Sequence, residues 1–363
     1  MNVLQLKLDR YRSYDDAVFT FEPDVIHILQ GANAQGKTNI VEAIYFLSHL
    51  RSFRTSQTAS LIEHGESGFA LEAKAESHGR TEKLRIYMDR SHKQLYRYGQ
   101  PVRSFSDFVG ILNAVLFCPD DLSLFTDGPS ARRRFIDMEL VKLSKNYTAL
   151  LGRFQKLLHS RNTLLKSPAI DNALLDVVTE QLIEAEELIA MQRSRFTSQL
   201  MEKAEKLYPF FSEGRESFTG RYKTFVDVNE DMKSQMRGIY EKSGGRDRKM
   251  QQTTCGVHKD DVQFYLDGHP VALNASQGQK RSALLTLKLA LCQMIYEKSG
   301  QYPILLLDDV FSELDSVRQQ KFVELLPKDM QVFITTATEV HADWNGRKVV
   351  IHEIRKKEKE SKA

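Results

Sequence analysis

Apolar and polar side chains alternate in three stretches of the N-terminal hundred residues: Leu4, Leu6 and Leu8, then Phe69, Leu71 and Ala73, then Leu84, Ile86 and Met88. A period of two marks half-buried strands, so this region predicts a β-rich lobe. Two segments inside it break the alternation. Val25, Ile26, Ile28 and Leu29 form a short apolar run, as for a strand buried on both faces. Ile40, Val41, Ile44, Leu47 and Leu50 recur at helical spacing, a single stripe suited to docking on a sheet. From Pro129-Ser130 the period is helical throughout, with Phe135, Met138, Val141, Leu150, Phe154, Leu157 and Leu158 in one run. After the break Lys166-Ser167-Pro168 a second run extends from Leu174 to Leu207. Two long helices with a short connection predict an antiparallel hairpin with arms of about 50 Å each. Arg246 to Met250 reads as an exposed linker, followed by a strand in which Val262, Phe264 and Leu266 alternate up to an Asp267-Gly268 turn. A helix then starts near Ser276 and carries Ala283, Leu284, Leu287, Leu291 and Ile295. Ile304 to Leu307 is a short buried strand ending in Asp308-Asp309, and Val332-Phe333-Ile334 is the final strand.

With 363 residues and 41% apolar content, the chain supports two domains or one domain with a large insertion. Uncharged apolar stretches all fall short of the roughly 20 residues that span a bilayer. The N-terminus MNVLQLKLDRYRS is charged where a signal peptide would be apolar, so a cytoplasmic location without a membrane partner is expected. Cys118, Cys255 and Cys292 are widely spaced and odd in number, which indicates ordinary thiols rather than a disulfide framework or zinc site. The net charge of +3 is too small to argue for nucleic acid by itself. Basic residues do cluster, at Arg51 and Arg54, at Arg132-Arg133-Arg134, at Arg246 to Lys249 and in the tail Arg355 to Lys362.

The chemistry begins at Gly31-Ala32-Asn33-Ala34-Gln35-Gly36-Lys37-Thr38, which fits G-x-x-x-x-G-K-[ST] and lies between the strand-like run and the helical stripe. In such a loop backbone N–H groups cradle the β-phosphate, the lysine reaches the β/γ oxygens and the hydroxyl ligates Mg²⁺. A nucleoside triphosphate, ATP with Mg²⁺, is the expected ligand, and Asn39 and Arg12 are placed with the nucleotide-contacting residues. An apolar strand ending in acids supplies the other half of such a site. Asp308 is expected to hold the metal through water, and Asp309 to orient or deprotonate the attacking water. Ser276-Gln277-Gly278-Gln279 opens a helix and offers a second anion site, and Phe311-Ser312-Glu313-Leu314-Asp315 follows the paired acids.

In that order these motifs resemble the ABC-type ATPases. The resemblance implies an α/β fold: an ATPase head with a mixed sheet and an inserted helical hairpin, the head being residues 1–120 and 250–363 and the insertion 121–249. It also implies a homodimer that forms on ATP, in which Ser276 and Gly278 of one subunit close over the γ-phosphate held by Gly36, Lys37 and Thr38 of the other, with Asp315 in the adjoining D-loop.

Within that class the chain resembles the RecF family of bacterial recombination mediators over essentially its whole length. The residues that carry the likeness are Tyr11-Arg12-Ser13, Gly31-Ala32-Asn33, Arg51-Ser52-Phe53-Arg54-Thr55 and Phe117-Cys118-Pro119-Asp120-Asp121-Leu122. Gly128-Pro129, Arg133-Arg134-Phe135-Ile136-Asp137, His258-Lys259-Asp260-Asp261 and Ser276 to Arg281 complete it. The likeness implies a weak, DNA-stimulated ATPase and sequence-independent binding of duplex DNA near single-strand junctions. It further implies partnership with RecR and RecO in loading recombinase, and a nucleoid-associated role in DNA repair, replication and the SOS response. Arg51, Arg54, Arg132 and Arg133 are the expected phosphate contacts. His258 is read as a partner of Asp260-Asp261.

The chain also departs from the pattern. Asp309 stands where many ABC enzymes carry Glu, Thr335 and Thr336 replace the switch histidine, and Val257 replaces the family's proline. The Q-loop glutamine has no assigned position; the loop after Phe117 is where it would fall. Three rivals share the P-loop: an SMC-like organiser, which needs far longer arms; a transporter's nucleotide-binding subunit, which needs a membrane partner; and a small-molecule kinase, which needs no second phosphate site.

Overall fold

The computed structural model describes residues 1–338 and 343–355; residues 356–362 of the basic tail lie outside the described residues. The chain runs through β1 (Asn2–Tyr11), β2 (Tyr14–Thr20), β3 (Ile26–Gln30), α1 (Lys37–His49), β4 (Gly68–Ser77), β5 (Arg80–Asp89), β6 (Lys93–Arg97) and β7 (Gln100–Pro101). Next come α2 (Phe105–Phe108), β8 (Ala114–Phe117), α3 (Ser123–Thr126), α4 (Pro129–Leu143), α5 (Lys145–Leu165), α6 (Asn172–Ser212), β9 (Phe218–Lys223) and α7 (Met232–Met250). It ends with β10 (Asp261–Leu266), β11 (His269–Pro270), α8 (Val271–Asn274), α9 (Gln277–Ser299), β12 (Ile304–Leu307), α10 (Ser316–Leu325), β13 (Val332–Thr336) and β14 (Val349–Glu353). Two compact units result, residues 1–121 with 210–213 and 281–363, and residues 122–209 with 214–280.

The first unit holds two sheets. One is antiparallel with order β2-β1-β4-β5-β6-β7; the other is parallel with order β14-β3-β13-β12-β8. Every residue of β8, β12 and β13 is buried, and β8 and β12 are accordingly apolar throughout, while β13 ends in the buried Thr335 and Thr336. Helix α1 packs against strands of both sheets. Its burial therefore extends beyond the single stripe expected from its periodicity: Glu42, Ser48 and His49 are buried along with Ile40, Val41, Ile44 and Leu47. Two sheets enclose the helix, so polar positions on its far side are interior too. Strand β14, which the apolar pattern missed, pairs parallel to β3 with Val350 opposite His27, and its residues alternate between half-buried and exposed.

The second unit contains the helical hairpin and a small antiparallel sheet of order β11-β10-β9. Its limits differ from the expected insertion 121–249, because Asp261–Leu266 pairs along its whole length with Phe218–Lys223 and draws residues 250–280 into this unit. The long helical run starting at Pro129 is broken at Ser144, whose extended backbone and side chain, accepting from Tyr147 N–H, begin a new helix. The arms are accordingly unequal, 21 residues in α5 against 41 in α6, or about 31 and 62 Å. Arg153 pairs with Glu184 and Arg161 with Thr179, so the two helices run antiparallel. The expected linker at Arg246 to Met250 is the last turn of α7, which ends at a left-handed Gln251.

Helix α6 presents Thr179, Glu186 and Arg193, spaced by seven; Thr179 meets Arg161 of α5, and the other two meet Val257 in the segment that enters β10. Arg161 Nη1 donates to Asp247 (2.8 Å) and to Thr253 Oγ1 (2.9 Å). Arg193 binds Asp137 and the Val257 carbonyl. Glu186 accepts from Tyr240 Oη (2.9 Å) and from Val257 N–H (3.2 Å). Burial pushes the Glu186 carboxyl up to about 8. Because that is above its unfolded value, the cost of ionising it in the interior grows from pH 4.5 upward and is fully borne above pH 8. Glu186→Gln, which mimics the protonated acid, should therefore raise the melting temperature by several degrees at pH 9. The gain should shrink to nothing near pH 4.5; calorimetric melts across this range check it, and a pH-independent difference would refute the assignment.

Candidate nucleotide site

Strand β3 delivers the chain into the phosphate loop, and α1 leaves it. Gly31 lies under the carbonyl of Ile354, where a Cβ would come within 2.4 Å. Gly36 adopts φ +106°, and the Tyr14 hydroxyl would be 2.6 Å from a Cβ there. Both glycines are thus required by close approach, the second also by its backbone. Ala34 is left-handed as well (φ +64°), completing a turn that points N–H groups into the loop. Ala32, Asn33 and Ala34 are exposed at its tip and Gln35 is half-buried behind them. Lys37 is buried, with Nζ 2.6 Å from the Gly31 carbonyl and 2.9 Å from that of Ala32. The cation therefore spans its own loop, where an incoming phosphate would compete with those two carbonyl oxygens.

Strand β13 lies between β3 and β12, so its C-terminal end separates the phosphate loop from the paired acids. In register, Thr335 is opposite Leu29 and Ile334 opposite Leu307. That places the Thr335 hydroxyl 2.9 Å from Asp308 Oδ1 and lets it accept from Asp309 N–H at 2.9 Å. Burial raises the Asp308 carboxyl to about 6, opposed by the Thr335 and Thr38 hydrogen bonds and by the charge of Arg54. Asp309 is exposed and holds a left-handed backbone (φ +55°), an unusual conformation for a side chain without glycine's freedom. Thr335, found where the sequence lacked a switch histidine, spends its single proton on Asp308. It acts as a bracket for the acids.

Arg12 is assigned differently from its expected contact with nucleotide. Its Nε and Nη2 donate to Glu42 (2.8 and 2.5 Å) and its Nη1 to the Ser60 carbonyl (2.8 Å), because a carboxylate buried on α1 needs a counter-charge. Asn39 donates to Ser13 Oγ and accepts from Arg54 Nη1. Glu42 was missed by the sequence reading. A lone acid inside an apolar helix, with Arg12 and the Arg51–Arg54 cluster nearby in sequence, was the available signal.

Ser276 and Gln279 close a reciprocal cap at the start of α9: Gln279 N–H donates to Ser276 Oγ (3.2 Å), and Ser276 N–H donates to Gln279 Oε1 (2.7 Å). Gln279 also donates to Glu216 (2.6 Å); Gln277 is exposed and Gly278 half-buried. Arg281, one turn on, grips Glu313 through its carbonyl and carboxylate. Asp315 caps α10 by accepting from Arg318 N–H (2.9 Å) and pairs with the Arg318 guanidinium.

Of the four arginines expected on DNA, Arg51 and Arg54 are exposed in the first unit. Arg132 is committed within its own unit: its guanidinium pairs with Asp261 (2.7 Å) and with the Leu124 and Asp127 carbonyls, leaving little of it for an outside phosphate. Arg133 donates to the Asp260 carbonyl. His258 turns to the Thr253 carbonyl instead of the neighbouring acids, since Asp260 is taken by Arg193 and Tyr222 and Asp261 by Arg132. Cys118, Cys255 and Cys292 are free thiols. No helix among the described residues is long and apolar enough to cross a membrane.

A family model described as RecF/RecN/SMC N terminal domain matches residues 2–360. DNA replication and repair protein RecF of Halalkalibacterium halodurans is 38% identical over 345 residues, 93% of this chain and 92% of that protein. The protein of the same description from Bacillus subtilis is 37% identical over 347 residues, 93% and 94% of the two chains. A solved structure of the recombination mediator protein RecF with ATP superposes with a TM-score of 0.88 at 29% identity, covering 94% of this chain and 93% of that one. The Smc head of Pyrococcus furiosus shares the fold, with a TM-score of 0.57 at 16% identity over 98% of this chain and 94% of that one.

Asp308 generates a prediction of opposite effects. Since its folded value is raised, the stability lost by ionising it accumulates from pH 3.8 to about 6 and is fully lost above. Asp308→Asn should melt a few degrees higher than wild type at pH 7.5 without ligands, with the difference fading below pH 4. The same variant should bind Mg²⁺–ATP at least about tenfold more weakly, a pairing that calorimetry and fluorescent-nucleotide titration check together.

Proposed function

The chain belongs to the RecF family of DNA replication and repair proteins, and on that premise we propose that it is an ATP-gated DNA clamp of recombinational repair. The observation that carries the reading is the bracketed site: a phosphate loop with Lys37 folded onto its carbonyls, and Asp308 and Asp309 both held by Thr335. The Thr38 hydroxyl and the Asp308 carboxylate are hard oxygen donors, which suits Mg²⁺, whose role when bound is to neutralise phosphate charge. Lys37 exchanges its two carbonyl partners for β/γ-phosphate oxygens. Asp309 orients the attacking water and accepts its proton.

ATP binding brings two copies together, with the Ser276-Gln277-Gly278-Gln279 segment of one over the γ-phosphate of the other. The exposure of Ser276 and Gln277 at the start of α9 supports this. The dimer binds duplex DNA at gaps or single-strand junctions, without sequence preference, through Arg51 and Arg54 in the first instance. Slow, DNA-stimulated hydrolysis releases it, and RecR and RecO act with it in loading recombinase. An SMC-like organiser is the second reading; it shares the head fold, but arms of 21 and 41 residues are far short of what it requires.

Light scattering on wild type, Lys37→Met and Asp309→Asn, with and without ATP and gapped duplex, tests the reading. The expected result is a doubled mass with ATP for wild type and Asp309→Asn, DNA retained longest by Asp309→Asn, and a monomeric Lys37→Met. A mass unchanged by ATP in every variant would sink it.

A further inference from the structure

Glu42 lies one helical turn past Thr38, and its side chain is fully buried. Besides Arg12 it accepts from Ser52 Oγ (2.5 Å), with Arg54 Nη1 at 3.7 Å. Ser52 Oγ in turn accepts from the backbone N–H groups of Arg54 (2.9 Å) and Thr55 (3.1 Å). Arg54 Nη1 reaches Asn39 Oδ1 at 3.1 Å, and Asn39 is the residue after Thr38. The turn that displays Arg51 and Arg54 is thus fastened at two places to the first two turns of α1, whose N-terminus is the phosphate cradle.

We infer that Glu42 is a positioning residue that fixes the Arg51–Thr55 turn to the phosphate cradle and thereby couples nucleotide binding to DNA binding. This rests on the ATP-and-DNA reading above. A carboxylate with no exposure cannot exchange its donors for water, so leaving Ser52 or Arg12 behind when α1 shifts would strand charge in the interior. When Lys37 leaves the Gly31 and Ala32 carbonyls for phosphate, any displacement of the first turns of α1 is passed to the 52–55 backbone through Ser52 and to Arg54 through Asn39. Linkage makes the effect reciprocal: phosphate on the Arg51–Arg54 turn changes nucleotide affinity by the same factor.

The test measures four dissociation constants on the full chain: a non-hydrolysable ATP analogue with Mg²⁺, with and without saturating gapped duplex, and the duplex with and without saturating analogue. In wild type the two ratios should agree and be at least about fivefold. Ser52→Ala keeps every arginine, every phosphate-loop residue and the Asn39–Arg54 link, yet should lower both ratios toward one. Ser52→Thr, which retains the hydroxyl, should restore them, and Glu42→Gln should behave as Ser52→Ala does. Circular dichroism melts establish that each variant is folded; if Glu42→Gln is not, the two Ser52 variants decide alone. Undiminished ratios in folded Ser52→Ala overturn the inference. Wild type that binds both ligands with ratios of one overturns it as well and leaves the ATP-and-DNA reading intact, whereas wild type that binds no DNA removes that reading and the inference with it.

Discussion

Enclosure of α1 by two sheets is the constraint from which the nucleotide site follows. A helix that rests on one sheet has a solvent side where charged residues cost nothing; α1 has none over most of its length, and Glu42 sits where its hydration is gone. The desolvation of one carboxylate then dictates its surroundings. Arg12 is drawn in from the turn between β1 and β2 and Ser52 from the turn after the helix, each satisfying a lone pair that water cannot reach. The phosphate loop at the other end of the helix inherits this rigidity. Its N–H groups are aimed by a helix that is held on all sides, which is the preorganisation an anion site needs if binding is not to be spent on ordering the loop.

The second unit solves a different problem with similar means. An α6 of 41 residues could pack on its neighbours α4, α5 and α7 in more than one register if apolar contacts alone aligned them. Thr179, Glu186 and Arg193 recur on one face at the heptad interval, and each has a polar partner at one height only: Arg161, Tyr240 with the Val257 N–H, and Asp137 with the Val257 carbonyl. Interior polar groups of this kind add little net stability against an apolar alternative. A slipped register would leave them unpaired, and that penalty selects the observed one.

The phosphate loop and the strand before the paired acids were legible in the sequence because each is local. Gly31 to Thr38 is a contiguous loop, and the apolar run ending at Asp308 is a strand buried on both faces, so pattern and chemistry coincide. What escaped the reading depends on partners distant in the chain. Nothing near Arg12 announces that its guanidinium belongs to Glu42, thirty positions on, and nothing near Arg132 announces Asp261. The assignment of residues 250–280 to the head failed for the same reason, since the pairing of β10 with β9 joins segments that have no common pattern. Ser144 was a missed local signal: a serine three residues before Tyr147 is a good N-cap, but the apolar stripe runs on past it and hides the break.

The acids also bear on why such a site would turn over slowly. Asp309 stands in water, on a backbone twisted into the left-handed region and held there by Thr335, with a side chain one methylene shorter than the glutamate usual in related enzymes. Solvent beside an exposed carboxylate screens its charge and competes for the lone pairs that would hold an attacking water molecule. Its environment becomes productive only when another surface excludes that solvent and fixes a single water within its reach. In the reading proposed here that surface is the Ser276 segment of a second copy. Hydrolysis is then limited by assembly, and the exposed acid acts as a timer for a bound state and not as the engine of a motor.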